Sequence, residues 1–154
     1  MAILLSFALL CALCTLLAWI DIRHGIIPDW LNLAIAGLGL LKIFLIGDTS
    51  ATVGALGEGA VIGAVFWLLR RLYFAVRGIQ GLGLGDVKFL GAAGIWVGVA
   101  GVPMLLLVAT ITALACVGAM QLSGRALTAQ TAMSFGPFLA AGLLVTSGFQ
   151  QFGF

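Results

Sequence analysis

The chain has 154 residues, of which 63% are apolar and only 8% charged, and its mean hydropathy is +1.26. A soluble domain carries about 25% charged residues, so so much apolar surface excludes an ordinary water-soluble fold and points to lipid as the solvent. The net charge of +2 is small and scattered, which argues against nucleic acid as a partner and leaves the cations as markers of topology.

Ala2 to Ile20 is an unbroken apolar run long enough to span a bilayer. It has no basic n-region, so it reads as a span and not as a cleaved signal. Cys11 and Cys14 form a C-x-x-C inside this run, and Cys116 stands alone in another. With no second ligand pair they read as small buried side chains, and no metal or other cofactor is expected.

A polar hinge follows, Asp21-Ile22-Arg23-His24-Gly25-Ile26-Ile27-Pro28-Asp29. Asp29, just after Pro28, is expected to cap the next helix. His24 reads as a polar residue of the interface. Leu31 to Ile46 is the second span, with Lys42 placed to snorkel at its far end. After Gly47-Asp48-Thr49-Ser50, Ala51 to Leu69 forms the third, carrying Glu58 well inside it. At that depth it either bonds across helices or lines a wet cavity, and its role is left open.

Arg70 through Gly85 is the longest polar connection, and its glycines suggest a mobile loop. Val87 to Ala119 is apolar for over thirty residues. Gly101-Val102-Pro103 is expected to divide it into two spans. Gln121 to Ser134 is a polar loop with Arg125, and Phe135 to Phe149 is a last, short apolar segment. Six helices result: an all-α integral membrane bundle forming a single domain over residues 1–154. Ala55, Gly59, Gly63, Gly94 and Gly98 recur at spacings that suit close helix packing.

Arg23, Arg70, Arg71, Arg77, Lys88 and Arg125 fall on alternate connections, with only Lys42 toward the other side. By the positive-inside rule that side is cytoplasmic and both termini lie outside. Asp21 and Asp86 then share one face of the membrane. Two facing carboxylates hold one proton between them. The ionised one takes a proton from water while the protonated one polarises a carbonyl, which is amide hydrolysis without metal. Each aspartate alone has a plainer reading, as a helix cap or a charge at headgroup level. Asp86 follows alternate glycines at 81, 83 and 85, which would free the backbone and let another chain lie close.

Three segments add specificity: Asp21-x6-Pro28-Asp29-x-Leu31, Gly83-x-Gly85-Asp86-Val87-Lys88-Phe89-Leu90, and Phe135-Gly136-Pro137-Phe138-Leu139-Ala140. Together they resemble the type IV prepilin peptidase family; G-x-G-D alone would also suit presenilin-like proteases. The resemblance implies catalytic roles for Asp21 and Asp86, with Gly83, Gly85, Lys88, Pro28, Gly136 and Pro137 shaping the surrounding loops. It also implies a bacterial inner-membrane enzyme whose partners are lipid and a prepilin or pseudopilin with a basic leader before an apolar helix. The family's larger enzymes add a cytoplasmic segment with paired C-x-x-C zinc motifs, associated with N-methylation. This sequence shows no such motifs, so it reads as the peptidase-only form, and methyltransferase activity is not expected. The competing readings are a proton- or ion-coupled transporter subunit using Asp21, Glu58 and Asp86, and a non-enzymatic assembly protein.

Overall fold

In the computed structural model, residues 2–79, 81–123 and 134–153 are described. They form α1 (Ala2–His24), α2 (Asp29–Ile46), α3 (Thr49–Arg77), α4 (Leu84–Leu122) and α5 (Gly136–Phe152). The first four are long and apolar enough to cross a membrane, so this is an all-helical, multi-pass membrane protein. Large apolar side chains face outward all round, Leu33 at 72% and Ile22 at 69% exposure among them. That distribution is stable only where the surrounding medium is lipid.

The expected six helices are five elements, because the apolar run from Val87 forms one element with a break inside it. As a continuous rod, 39 residues would extend about 58 Å, nearly twice the hydrocarbon thickness. The break falls at Gly98, with φ 67° and ψ 174°, and not at the expected Gly101-Val102-Pro103. Only glycine occupies that backbone region without strain, whereas Pro103 lies within the restarted helix. Gly98 is therefore a turning point and not the packing residue its spacing suggested.

The contacts of α5 show which way the chain goes after Gly98. The Gln150 side chain donates to the Val97 carbonyl at 3.0 Å and lies against Gly101, while Gly142 abuts the Leu105 backbone. The stretch after Gly98 thus runs back along α5 toward its N-terminus. Glu58 closes the turn from α3, accepting the Val99 N–H at 2.7 Å. Backbone groups freed at the break are satisfied by two side chains, as a lipid-embedded helix end requires. Glu58 has a structural partner, and it is not among the residues around Asp21 and Asp86.

The core lies where α4 packs between α2, α3 and α5, around Phe89, Leu90, Ala93, Leu31, Leu139 and Leu143. Gly59 and Gly63 of α3 meet Gly91 of α4. A Cβ at Gly59 would come within 2.8 Å of the Gly91 carbonyl oxygen, so the small residues do bring backbones together. Trp96 ties α4 to α2, its indole N–H donating to the Ile35 carbonyl at 2.9 Å. Cys14 is buried in the α1 core face.

Two connections are shorter than expected. The first helix runs on through Asp21 to His24, and Gly25, with φ 64°, ends it by donating its N–H to the Asp21 carbonyl at 2.8 Å. The third continues through Arg70 and Arg71 to Arg77, capped by Gly78 at φ 68°. The intervening Leu72, Tyr73, Phe74 and Val76 offer nothing that stops a helix. Arg23 stacks on Trp19 and Arg71 on Trp67, at 4.4 and 5.5 Å from the ring centroids, as interfacial cations and aromatics do. Arg125 lies outside the described residues.

Candidate functional site

Asp21 occupies the last turn of α1, where the helix dipole disfavours a carboxylate. A second helix compensates. The N-terminus of α5 points at it, and the Gly136 N–H donates to Asp21 Oδ2 at 2.9 Å in a buried contact. Asp21 is only 5% exposed, so this charge-assisted bond forms where water offers little competition. Gly136 has no room for a side chain: a Cβ would overlap Asp21 Oδ2 and stand 3.2 Å from Ile27 Cδ1. Pro137 follows in the first turn of α5, at a helical position where a missing N–H costs nothing.

Asp86 occupies the first turn of α4, three residues after the N-cap Gly83. Its carboxylate folds back over the start of the helix, with Oδ2 3.1 Å from where a Gly83 Cβ would be. Both aspartates therefore sit at the positive ends of helices, α5 for Asp21 and α4 for Asp86. Two such ends, each contributing about 0.3–1 kcal/mol toward a nearby anion, offset part of the repulsion between the carboxylates.

The two side chains line one cavity of about 820 Å³, together with Gly25, Ile27, Asp29, the turn 81–85, Lys88, Ser134 and Phe135. Ile27 is the wedge of the site. It stands 3.0 Å from where a Gly85 Cβ would be and also touches the space above Gly136, so three helix ends close on one side chain. Three acidic residues and one lysine line this cavity, giving it an excess of negative charge.

The glycine turn is built differently from the expectation of a free backbone. None of Gly81, Gly83 and Gly85 has a positive φ. What they supply is space. A Cβ at Gly81 would come within 2.6 Å of the Tyr73 ring, and the Leu82 carbonyl accepts from Arg70 Nε at 2.8 Å. The extended end of α3 thus holds this turn in place.

Asp29 does not cap α2. The N-cap is Pro28, extended at φ −65° and ψ 137°, and no side chain bonds there. The Asp29 carboxylate instead takes Lys88 Nζ at 2.7 and 2.8 Å, joining the starts of α2 and α4. Lys88 balances Asp29, then, and not Asp86. His24 is exposed and its ring lies against the Ile20 carbonyl of its own helix.

Sequence reasoning missed three features. Gly136, expected only to shape a loop, is a hydrogen-bond donor to Asp21. Glu58 is the cap of a broken helix, recognisable only once the break was known. Asn32 is 5% exposed with neither amide atom partnered, a lone amide one turn after Asp29 in an apolar run.

Residues 8–118 match the model of the type IV leader peptidase family; the segment around Gly136 lies beyond the matched residues. Three similar proteins are each named prepilin leader peptidase/N-methyltransferase. That of Burkholderia pseudomallei (strain 1026b) is 38% identical over 134 residues, covering 86% of this chain and 42% of that protein. That of Escherichia coli (strain K12) is 35% identical over 136 residues, covering 86% of this chain and 58% of the relative. That of Dickeya chrysanthemi is 37% identical over 139 residues, with shares of 86% and 47%. The chain thus spans about half the length of these relatives. No solved structure matches.

Proposed function

This chain belongs to the type IV leader peptidase family, and from that premise we propose that it is a membrane aspartic endopeptidase. It cuts the leader from prepilins or pseudopilins at the cytoplasmic interface of the bacterial inner membrane. The observation that carries this reading is the convergence of Asp21 and Asp86, from opposite ends of their helices, on one cavity. One carboxylate, ionised, takes a proton from water, and the other, protonated, polarises the scissile carbonyl. Collapse of the tetrahedral intermediate returns a proton to the leaving amine, and no covalent enzyme intermediate forms.

The environment of the pair supports this. Gly136 holds the Asp21 carboxylate by its backbone N–H, leaving the other oxygen for water and substrate. The negative cavity suits a basic leader. In the topology we propose, the two stretches of α4 cross separately, making six crossings with both termini outside. The arginine-bearing ends of α1 and α3 then lie in the cytoplasm. The names of the relatives join a methyltransferase to the peptidase; the site described above bears on hydrolysis.

The transporter reading puts Glu58 on one path with Asp21 and Asp86. Glu58 is instead bonded to Val99 at the Gly98 turn, which weighs against it. The deciding experiment is cleavage of a prepilin by the Asp21→Asn and Asp86→Asn variants. Asn keeps size and most hydrogen bonding while removing the acid, so each change is expected to abolish turnover with the bundle intact. Full activity in either variant overturns the pair mechanism.

A further inference from the structure

A second cavity, of about 380 Å³, lies between α2, α3 and α4. Asp29 and Lys88 line both this cavity and the one holding Asp21 and Asp86, so a single ion pair is the wall between them. Beyond that wall the lining is apolar, with Leu33, Ala36, Leu56, Ala60 and Ile95. Leu33 and Leu56 are 72% and 52% exposed, so the cavity opens sideways toward lipid.

One lining residue does not fit an apolar pocket. Asn32 also borders the cavity, is 5% exposed, and leaves both Oδ1 and Nδ2 unpartnered. Burying an amide without partners is unfavourable, and in lipid no water relieves it. An apolar residue there would make a more stable protein. The group an amide matches best is another amide, since each offers one acceptor beside an N–H donor. An extended peptide backbone entering the cavity presents such a group.

We propose that this cavity seats the residues of the substrate just after the scissile bond, where its membrane helix begins. One peptide group bonds to the Asn32 amide, and one apolar side chain fills the space between Leu33 and Ala60. The inference rests on the peptidase reading and adds a specificity site to it. A chain lying across the Asp29–Lys88 wall would have its basic leader in the negative cavity and its apolar part in the lipid-facing one. The bond between the two parts would then lie on the side of Asp21 and Asp86.

The test uses the full chain in detergent with a synthetic peptide, a basic leader followed by an apolar helix. Asn32→Leu removes the amide, and Ala60→Phe fills the space. Each is expected to raise KM about tenfold or more with kcat little changed, the equivalent of about 1.4 kcal/mol of lost binding. Asn32→Leu is also expected to raise the thermal midpoint, which a merely structural asparagine would not do. A third measurement places the peptide directly. With a copper–phenanthroline oxidant added, Leu56→Cys in the Asp86→Asn background is expected to form a disulfide with a peptide cysteine placed two or three residues after the cut. The same background without the added cysteine controls for Cys11, Cys14 and Cys116.

Wild-type cleavage with unchanged KM in both variants and no Leu56→Cys adduct overturns this inference and leaves the peptidase reading standing. The cavity would then hold a lipid chain only. Failure of the wild type to cleave the peptide removes both. If Asn32→Leu does not fold, Ala60→Phe and the disulfide decide the matter.

Discussion

Gly136→Ala is the substitution whose outcome follows most directly from the geometry. The added methyl would overlap Asp21 Oδ2 and crowd Ile27 Cδ1 at 3.2 Å, so the carboxylate must leave the Gly136 N–H that it accepts at 2.9 Å. A hydrogen bond to a charged group contributes about 1.5–3 kcal/mol, and overpacking a tight contact costs about 1–3 kcal/mol more. Folding loses part of that sum, because Asp21 can swing into the adjacent cavity. On the proposed mechanism catalysis loses more, since a displacement of about 1 Å in a reacting group can cost about a hundredfold. The expected result is a fall of about a hundredfold in kcat, with KM for a prepilin within about threefold of wild type. Gly37→Ala is the control. Nothing lies within 4 Å of its Cβ position, and alanine in a helix interior is favoured by about 1 kcal/mol over glycine. The assay is cleavage of a prepilin by purified protein, with thermal unfolding followed in the same preparations. Wild-type turnover in Gly136→Ala would refute the claim that α5 positions Asp21.

Three other outcomes can be checked separately. Glu58→Leu, which leaves the Val99 N–H at the Gly98 turn without its partner, should destabilise by about 1–3 kcal/mol; Glu58→Gln keeps an acceptor and should recover most of that, so a scan in which the two behave alike would refute the capping role. Lys88→Met should cost no more than about 1 kcal/mol of stability, because the Asp29–Lys88 pair is at least half exposed on both sides, and a larger loss by denaturant unfolding would mean the pair is coupled to more than each other. The Asp48 carboxyl, capping α3 by accepting the Ala51 N–H, is held below the usual carboxylate range by that bond and by the Ser50 hydroxyl. The stability it adds is therefore full above the unfolded-state pKa of about 4 and lost as pH falls through the lower folded value. Asp48→Ala should narrow its stability gap to wild type across that window, and a gap independent of pH would count against the cap.

The order of residues alone is enough to read the solvent, the helical class and the family. Apolar runs of spanning length need lipid whatever their arrangement, and a G-x-G-D followed by lysine, with F-G-P later, is legible without coordinates. It also placed Asp21 and Asp86 at helix ends on one side, because alternation of spans and cations depends only on order along the chain. The remaining features depend on contacts between helices. Asp29 looked like a cap because it followed proline, yet its partner is Lys88, 59 residues away, and local pattern carries no sign of such a pair. The turn at 81–85 looked mobile because it is rich in glycine, yet those glycines make room for Tyr73 and Ile27 from other helices. The division of α4 lies at Gly98 and not beside Pro103 because Glu58 and Gln150 are positioned there to satisfy the freed backbone. In each case the deciding partner comes from a different helix, and the energy of a buried contact depends on who arrives there, not on the neighbours in sequence.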